Sequence, residues 1–209
     1  MYLKKEKEFQ YPPGIEKIIE DVIGGGTIDR SDFAGVAFGG KPLQELPPLV
    51  FVVKDNNTGI YKVIKTAKAH AAATATSKNY QVKKNHLFAV GDFVTVVAAD
   101  GKLSGASDAI ATIDKSNKDY DIITLAATVG AAVIDAVLIS AKAKADAGSA
   151  TLPYDGEVVL TMNKVDLTVA NQRSGLLVRG TVNKSVLPFP LPFPIVGVRM
   201  NLTPDIHFV

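Results

Sequence analysis

The chain has 209 residues, of which 23 are basic and 21 acidic, so its formal net charge is only +2. Basic residues cluster only at residues 4–7, and this balance excludes a charged stripe of the kind that gathers phosphates, so we expect no nucleic-acid partner. The absence of cysteine excludes disulfides, zinc–thiolate sites and cysteine nucleophiles. No targeting segment is visible at the charged N-terminus, and we expect a soluble protein made in a cytoplasm.

Hydrophobic residues make up 47% of the chain, but aromatic residues only 7%, and tryptophan is absent. A core built mainly from small and β-branched side chains favours closely packed strands over a cofactor cavity. The longest apolar run, residues 186–198, contains four prolines and is too short to cross a bilayer as a helix. We therefore expect a globular protein without a membrane partner.

Residues 1–48 are interpreted as an arm that carries one short helix. Apolar residues recur at helical spacing between Pro13 and the glycine run 24–26, which predicts a helix over residues 15–23. A helix of this length is unstable alone in water, so its apolar face must pack on something. The arm is predicted to bind a partner protein through the residues Ile15, Ile18, Ile19 and Val22.

Residues 49–145 are predicted to form a β-domain. Residues 49–53 and 60–64 are apolar runs separated by the turn sequence 55–59, which predicts a hairpin. Further short strands are predicted over residues 93–97, 110–113, 121–125 and 133–139. Short strands at this spacing predict a small β-sandwich or barrel, so the fold class is mainly β. The polar, alanine-rich residues 140–148 are predicted to form a linker.

Residues 151–209 are predicted to form a second β-rich unit, with strands over residues 157–160 and 176–182. The segment that follows alternates proline with large apolar residues, which is incompatible with a central strand and predicts an extended chain. One small unit cannot easily bury all of these side chains. An interface between identical subunits is therefore predicted at Leu187, Phe189, Leu191 and Phe193.

One glycine-rich segment has part of the spacing of a phosphate-binding loop. Gly35, Gly40 and Lys41 fit the pattern, but Pro42 follows where a Ser or Thr hydroxyl would bind Mg²⁺. The later Pro47 and Pro48 also prevent a long helix after the loop. A flexible glycine loop is the better interpretation.

No other pattern predicts catalysis. The three histidines, His70, His86 and His207, are isolated from one another, so no metal site is expected. The sequence contains no Gly-X-Ser-X-Gly motif, and we expect no catalytic residues and no cofactor. Tyr80 and Tyr120, together with Tyr154, would stack on sugars if they lined a groove; otherwise each buries its ring and keeps its hydroxyl in water.

Two segments resemble a known group of proteins. Residues 171–183, NQRSGLLVRGTVN, precede a leucine- and proline-rich ending, and residues 80–94, YQVKKNHLFAVGDFV, contain a Val-Gly-Asp turn before a strand. Both are similar to segments of the head-fibre and capsid-decorating proteins of tailed phages, including those that infect Bacteroides-type hosts. The resemblance implies a homotrimer on the outer capsid surface that binds the major capsid protein, and it implies no catalytic residues.

The sequence thus predicts a non-enzymatic structural virion protein, a capsid decoration or head-fibre subunit that assembles as a homo-oligomer. Its partners would be the major capsid protein and other copies of itself. The alternative is an adhesion module on the virion surface that binds a host-surface glycan in a groove between subunits.

Overall fold

The computed structural model describes residues 14–97, 103, 105–146, 148–153, 156, 158–191 and 206–209. The described residues are mainly β-strand, which confirms the predicted fold class. Their only helical elements are two short 3₁₀ turns, Arg30–Phe33 and Lys184–Val186.

The strands are short, and most of them contain β-branched residues, which pack well on a pleated surface. In chain order they are β1 (Ile15–Asp21), β2 (Gly26–Ile28), β3 (Ala37–Phe38), β4 (Lys41–Pro42), β5 (Glu45–Leu46), β6 (Phe51–Lys54), β7 (Tyr61–Val63), β8 (Thr66–Lys68), β9 (Asn79–Lys83), β10 (Phe93–Val96), β11 (Asp108–Asp114), β12 (Tyr120–Leu125), β13 (Val137–Ser140), β14 (Val158–Thr161), β15 (Val165–Asp166), β16 (Gln172–Ser174), β17 (Leu176–Val182) and β18 (Ile206–Phe208).

The first sheet has the strand order β1-β17-β14-β6-β7-β2-β16, and β18 pairs in parallel with β17. Strand β16, at one end of the sheet, is separated only by Gly175 from β17, which pairs with β1 at the other end. The sheet therefore curls around a core that includes Ile28, Leu46, Val52, Val159 and Leu176. The predicted hairpin is present as β6 and β7, which pair antiparallel.

The second sheet has the order β8-β13-β10-β11-β12-β9. Its end strands also approach each other: Ala69, after β8, forms a bridge with Val82 of β9, and the His70 amide donates to the Gln81 carbonyl at 2.8 Å. The sheet thus curls into a barrel. Its core contains small and β-branched side chains, among them Ala67, Val94, Val96, Ile110, Ile123 and Ala132, as the composition predicts.

The predicted division into three consecutive segments differs from the strand pairing. The first sheet combines strands from residues 15–63 with strands from residues 158–208, and the second sheet is formed by residues 66–140 between them. A third apolar cluster contains Phe51 and Leu177 of the first sheet together with Ile139 of the second, so the two sheets pack on each other. Sequence patterns indicate strands but not their partners, which is why this arrangement was not predicted.

The predicted N-terminal helix is wrong. Residues 15–21 form strand β1, which pairs antiparallel with β17, and the Val22 amide continues the pairing by donating to the Leu176 carbonyl at 2.9 Å. The isoleucines of this segment favour a strand. Irregularities in the strand register allow apolar residues to depart from simple alternation, so their spacing imitates that of a helix.

Candidate protein-docking site

Strand β1 forms an exposed edge of the first sheet. It pairs with β17, and no second strand of the described chain pairs with it. Ile18 and Ile19 are 51% and 57% exposed, and Ile23, just beyond the strand, is 98% exposed. Large apolar side chains grouped on an edge strand are typical of a surface that binds another protein. We call Ile15–Asp21 the docking strand.

The register of the docking strand against β17 is interrupted three times, between Ile15 and Lys17, between Ile18 and Glu20, and between Glu20 and Asp21. Because the bulges break the alternation of faces, the neighbouring Ile18 and Ile19 are both exposed. Bulges also make an edge irregular, which opposes the addition of a further regular strand. The strand is therefore suited to contact a partner through its side chains.

The four residues predicted to bind a partner do not all lie at the surface. The structure brings Ile18 and Ile19 together there, whereas Ile15 and Val22 are half-buried and pack against apolar clusters of their own chain. Ile23 belongs with the exposed pair, although the predicted set omits it. The sequence feature that indicates this role is its position at the end of the isoleucine pattern, next to three glycines.

The proline-rich segment folds against its own chain. Phe189 is only 8% exposed and belongs to the first core, and Leu187 and Leu191 are half-buried against the cluster between the sheets. The Thr66 hydroxyl donates to the Pro190 carbonyl at 2.8 Å. Phe193 lies outside the described residues. The sequence predicts that Phe189 is exposed; the structure instead buries it in the first core.

A groove of about 880 Å³ lies between this proline-rich segment and the second sheet. Apart from the proline-rich segment, its walls are β8, the end of β9 with the loop that follows it, and the turn before β13. Its lining combines cationic and exposed apolar side chains: Lys68, Lys83, Lys84, Lys184, Val133 and Ile134. Val133 and Ile134 are 60% and 64% exposed, because they lie in the turn and not in the strand predicted over residues 133–139. We call this feature the lysine groove.

The charge of the lysine groove is predominantly positive. Its four lysines face one lining carboxylate, Asp135, which is exposed and lies 2.6 Å from the Lys83 ammonium group. Lys84 forms an ion pair of 2.8 Å with the buried Asp121 below the surface. Lys68 and Lys184 are exposed at the groove. The groove therefore suits an extended segment that carries both carboxylates and apolar side chains.

Beneath the groove, His86 is buried between charged groups. Its Nδ1 accepts a hydrogen bond from the Phe88 amide at 3.2 Å, which places the imidazole proton on Nε2, 3.4 Å from Asp121 Oδ2. Burial lowers the pKa of His86 to about 4, against the opposing effect of Asp121. The imidazole is therefore neutral at pH 7 and lies beside Asp121 of β12.

A second polar cluster lies where the two sheets join. Lys65, between β7 and β8, is buried and forms an ion pair with Asp92, which also accepts a hydrogen bond from the Ala89 amide at 2.7 Å. Nearby, burial raises the pKa of Asp32, although the carboxylate accepts a hydrogen bond from the Val63 amide at 2.8 Å. These groups are satisfied by one another and by the backbone, so the cluster has the character of a structural connection.

The other patterns noted in the sequence do not converge. Residues Ala37–Phe38 and Lys41–Pro42 pair as β3 and β4, so the glycine-rich segment is a tight hairpin and not a phosphate loop before a helix. Tyr80 is buried and donates its hydroxyl to the Gly130 carbonyl at 2.6 Å, and Tyr120 stacks on His70 with centroids 5.1 Å apart. Tyr154 lies outside the described residues.

Within the described ranges, no three His, Asp or Glu side chains are grouped as metal ligands would be. The same part of the chain has no helix with the length and apolar character needed to cross a bilayer.

Comparison with known proteins gives no relative. No protein-family model, no curated protein and no solved structure matches this chain.

Proposed function

We propose that this chain is a structural virion protein, a capsid-decorating or head-fibre subunit that binds the major capsid protein on the outer head surface as a homo-oligomer. The observation that supports a docking role is the exposed edge of the docking strand, with Ile18, Ile19 and the adjacent Ile23 facing water. The phage assignment itself is supported by the resemblance of residues 80–94 and 171–183 to proteins of this class.

The proposed activity is assembly, without a chemical reaction. Two pairs of buried or half-buried ionisable groups, Lys65 with Asp92 and His86 with Asp121, lie close together inside the chain. The exposed apolar side chains, by contrast, stabilise an assembly when another protein removes them from water. Repeated copies on a shell would act together, so that each single contact can be weak.

Binding to capsids tests the proposal directly. Shells assembled from the major capsid protein alone would be incubated with the purified chain and sedimented, and the bound fraction measured against concentration. The double variant Ile18→Lys/Ile19→Lys is expected to lose at least tenfold in apparent affinity. The two lysines place charges where apolar contacts would form. A loss is expected if the docking strand contacts the shell directly, and also if it joins copies of the chain that bind the shell as one oligomer.

Val169→Lys is the matched control, because Val169 is 72% exposed and lies in the β15–β16 connection, outside the docking strand. It should bind shells like the wild-type chain. Failure of the wild-type chain to bind shells at any concentration would contradict the proposed function.

A further inference from the structure

We propose that the docking strand of one copy lies in the lysine groove of a second copy, so that the chain assembles through two different and complementary surfaces. This inference rests on the proposed function in one respect, because it takes the docking strand to be the assembly surface. It adds the identity of the surface that receives the strand.

The docking strand is acidic as well as apolar. Between Ile15 and Asp21 it carries three acidic residues, Glu16, Glu20 and Asp21, against one lysine, Lys17, and all four are exposed. Its exposed isoleucines lie among these charges. A partner surface must therefore provide both cations and apolar contacts within a short distance.

The lysine groove provides both. Lys68 and Lys184 are exposed in its lining, and Val133 and Ile134 present apolar side chains beside them. Lys83 is paired with Asp135 and Lys84 with Asp121, so Lys68 and Lys184 leave the groove with a net positive charge, opposite to that of the docking strand. Such complementarity fixes the register of association and accelerates it at low salt.

The bulges in the docking strand favour a groove over another strand edge as the partner. A regular edge would extend a neighbouring sheet through backbone hydrogen bonds, but three register irregularities interrupt this edge. Side-chain contact with a concave surface does not need a continuous ladder. The exposed Ile18 and Ile19 would then enter the groove while the backbone remains paired with β17.

The strand cannot reach the groove of its own molecule. It is held against β17 from Ile15, opposite Val182, to Asp21, opposite Leu177, and the Asn183 amide donates to the Gly14 carbonyl at 2.8 Å. The strand therefore starts near Lys184, at the rim of the groove, and runs away from it. Only a second molecule can bring a docking strand into the groove. Reciprocal exchange gives a two-fold dimer and head-to-tail exchange gives a ring.

Charge reversal tests this pairing in the full-length chain without capsids. The mass of the protein would be measured by light scattering and sedimentation over a range of concentrations, for the wild-type chain and three variants. The strand variant is Glu16→Lys/Glu20→Lys, the groove variant is Lys68→Glu/Lys184→Glu, and the third variant combines all four changes. All four positions are exposed, so the fold should be retained.

We expect the wild-type chain to form a closed oligomer, dimer or trimer, whose dissociation constant rises with salt. Each charge reversal alone should raise that constant at least tenfold, and the combined variant should restore most of the lost affinity. Lys118→Glu is the control, because the Lys118 side chain is 89% exposed and lies outside the groove lining. It should associate like the wild-type chain.

A wild-type monomer at all concentrations would overturn the inference, as would a combined variant that associates no better than the single reversals. Neither result would decide the proposed function, because a monomer can still bind the shell through its docking strand. Conversely, a chain that assembles as expected but never binds capsid shells would contradict the proposed function and leave the strand-in-groove pairing intact.

Discussion

The Lys65 ammonium group lies 2.7 Å from Oδ2 and 3.0 Å from Oδ1 of Asp92, at the point where the chain passes from the first sheet to the second. Only 8% of the lysine side chain is exposed. The backbone reinforces the same junction, because the Ser140 amide donates to the Lys65 carbonyl at 3.0 Å. One buried ion pair thus helps to fix the strands that carry the docking site and the barrel that carries much of the groove.

Replacing Lys65 with methionine should destabilise the protein by about 3 kcal/mol, because it leaves the Asp92 carboxylate poorly compensated in a mostly buried position. The measurement is the free energy of unfolding from urea denaturation. Lys118→Met is the control, because its ion pair with Asp119 is exposed and such pairs contribute about 0–1 kcal/mol. Equal effects of the two substitutions would mean that the buried pair does not hold the junction.

Substituting Gly180 with alanine should release the docking strand from β17. Ile18 lies opposite Gly180, and an added Cβ would collide with the Lys17 carbonyl oxygen and approach Leu177 Cδ1 to 3.1 Å. Amide hydrogen exchange should therefore become faster in residues 15–21, while the β11–β12 amides keep their protection. Gly59→Ala is the control, because the space around Gly59 is open and only its positive φ is strained. Unchanged protection of the docking strand would contradict this packing.

Strands whose apolar residues are continuous can be predicted from the sequence. An example is β17, which matches its predicted range over residues 176–182. The helix predicted over the docking strand is wrong, because the bulges of this strand arise from its pairing with β17, and the sequence does not encode that partner locally. Ile18 and Ile19 belong to the set predicted from the sequence, but the more exposed Ile23 does not. The lysine groove was not, because Lys68 and Lys184 are brought together only by the fold.

Protonation of His86 should make stability depend on pH. The unfolded chain binds this proton near pH 6.5, whereas in the folded chain burial lowers the His86 pKa to about 4. The neutral, buried imidazole therefore makes its full contribution to the free energy of unfolding above pH 6.5. This contribution, about 3 kcal/mol in total, is lost as the pH falls towards 4. Lys84 and Lys115 act in the same direction as burial, and Asp121 opposes them.

The variant His86→Gln isolates this contribution from that of the carboxylates, several of which titrate at lower pH. Urea denaturation at pH 7 and at pH 4.5 should show a smaller loss of stability for His86→Gln than for the wild-type chain. His70→Gln, at an exposed position, should lose as much stability as the wild-type chain. If all three proteins lost the same amount, the buried imidazole would not be the group that responds.

Truncation of Phe189 distinguishes a core residue from an interface residue. Its side chain is 8% exposed and lies in the first core, so Phe189→Ala should leave a cavity and cost about 3–4 kcal/mol of unfolding free energy. The measurement must be made at a concentration too low for self-association, so that only packing within the chain contributes. Val169→Ala, at a 72% exposed position, should change stability by less than about 0.5 kcal/mol. A stable Phe189→Ala monomer that has lost only its self-association would instead return Phe189 to the interface between copies that the sequence predicts.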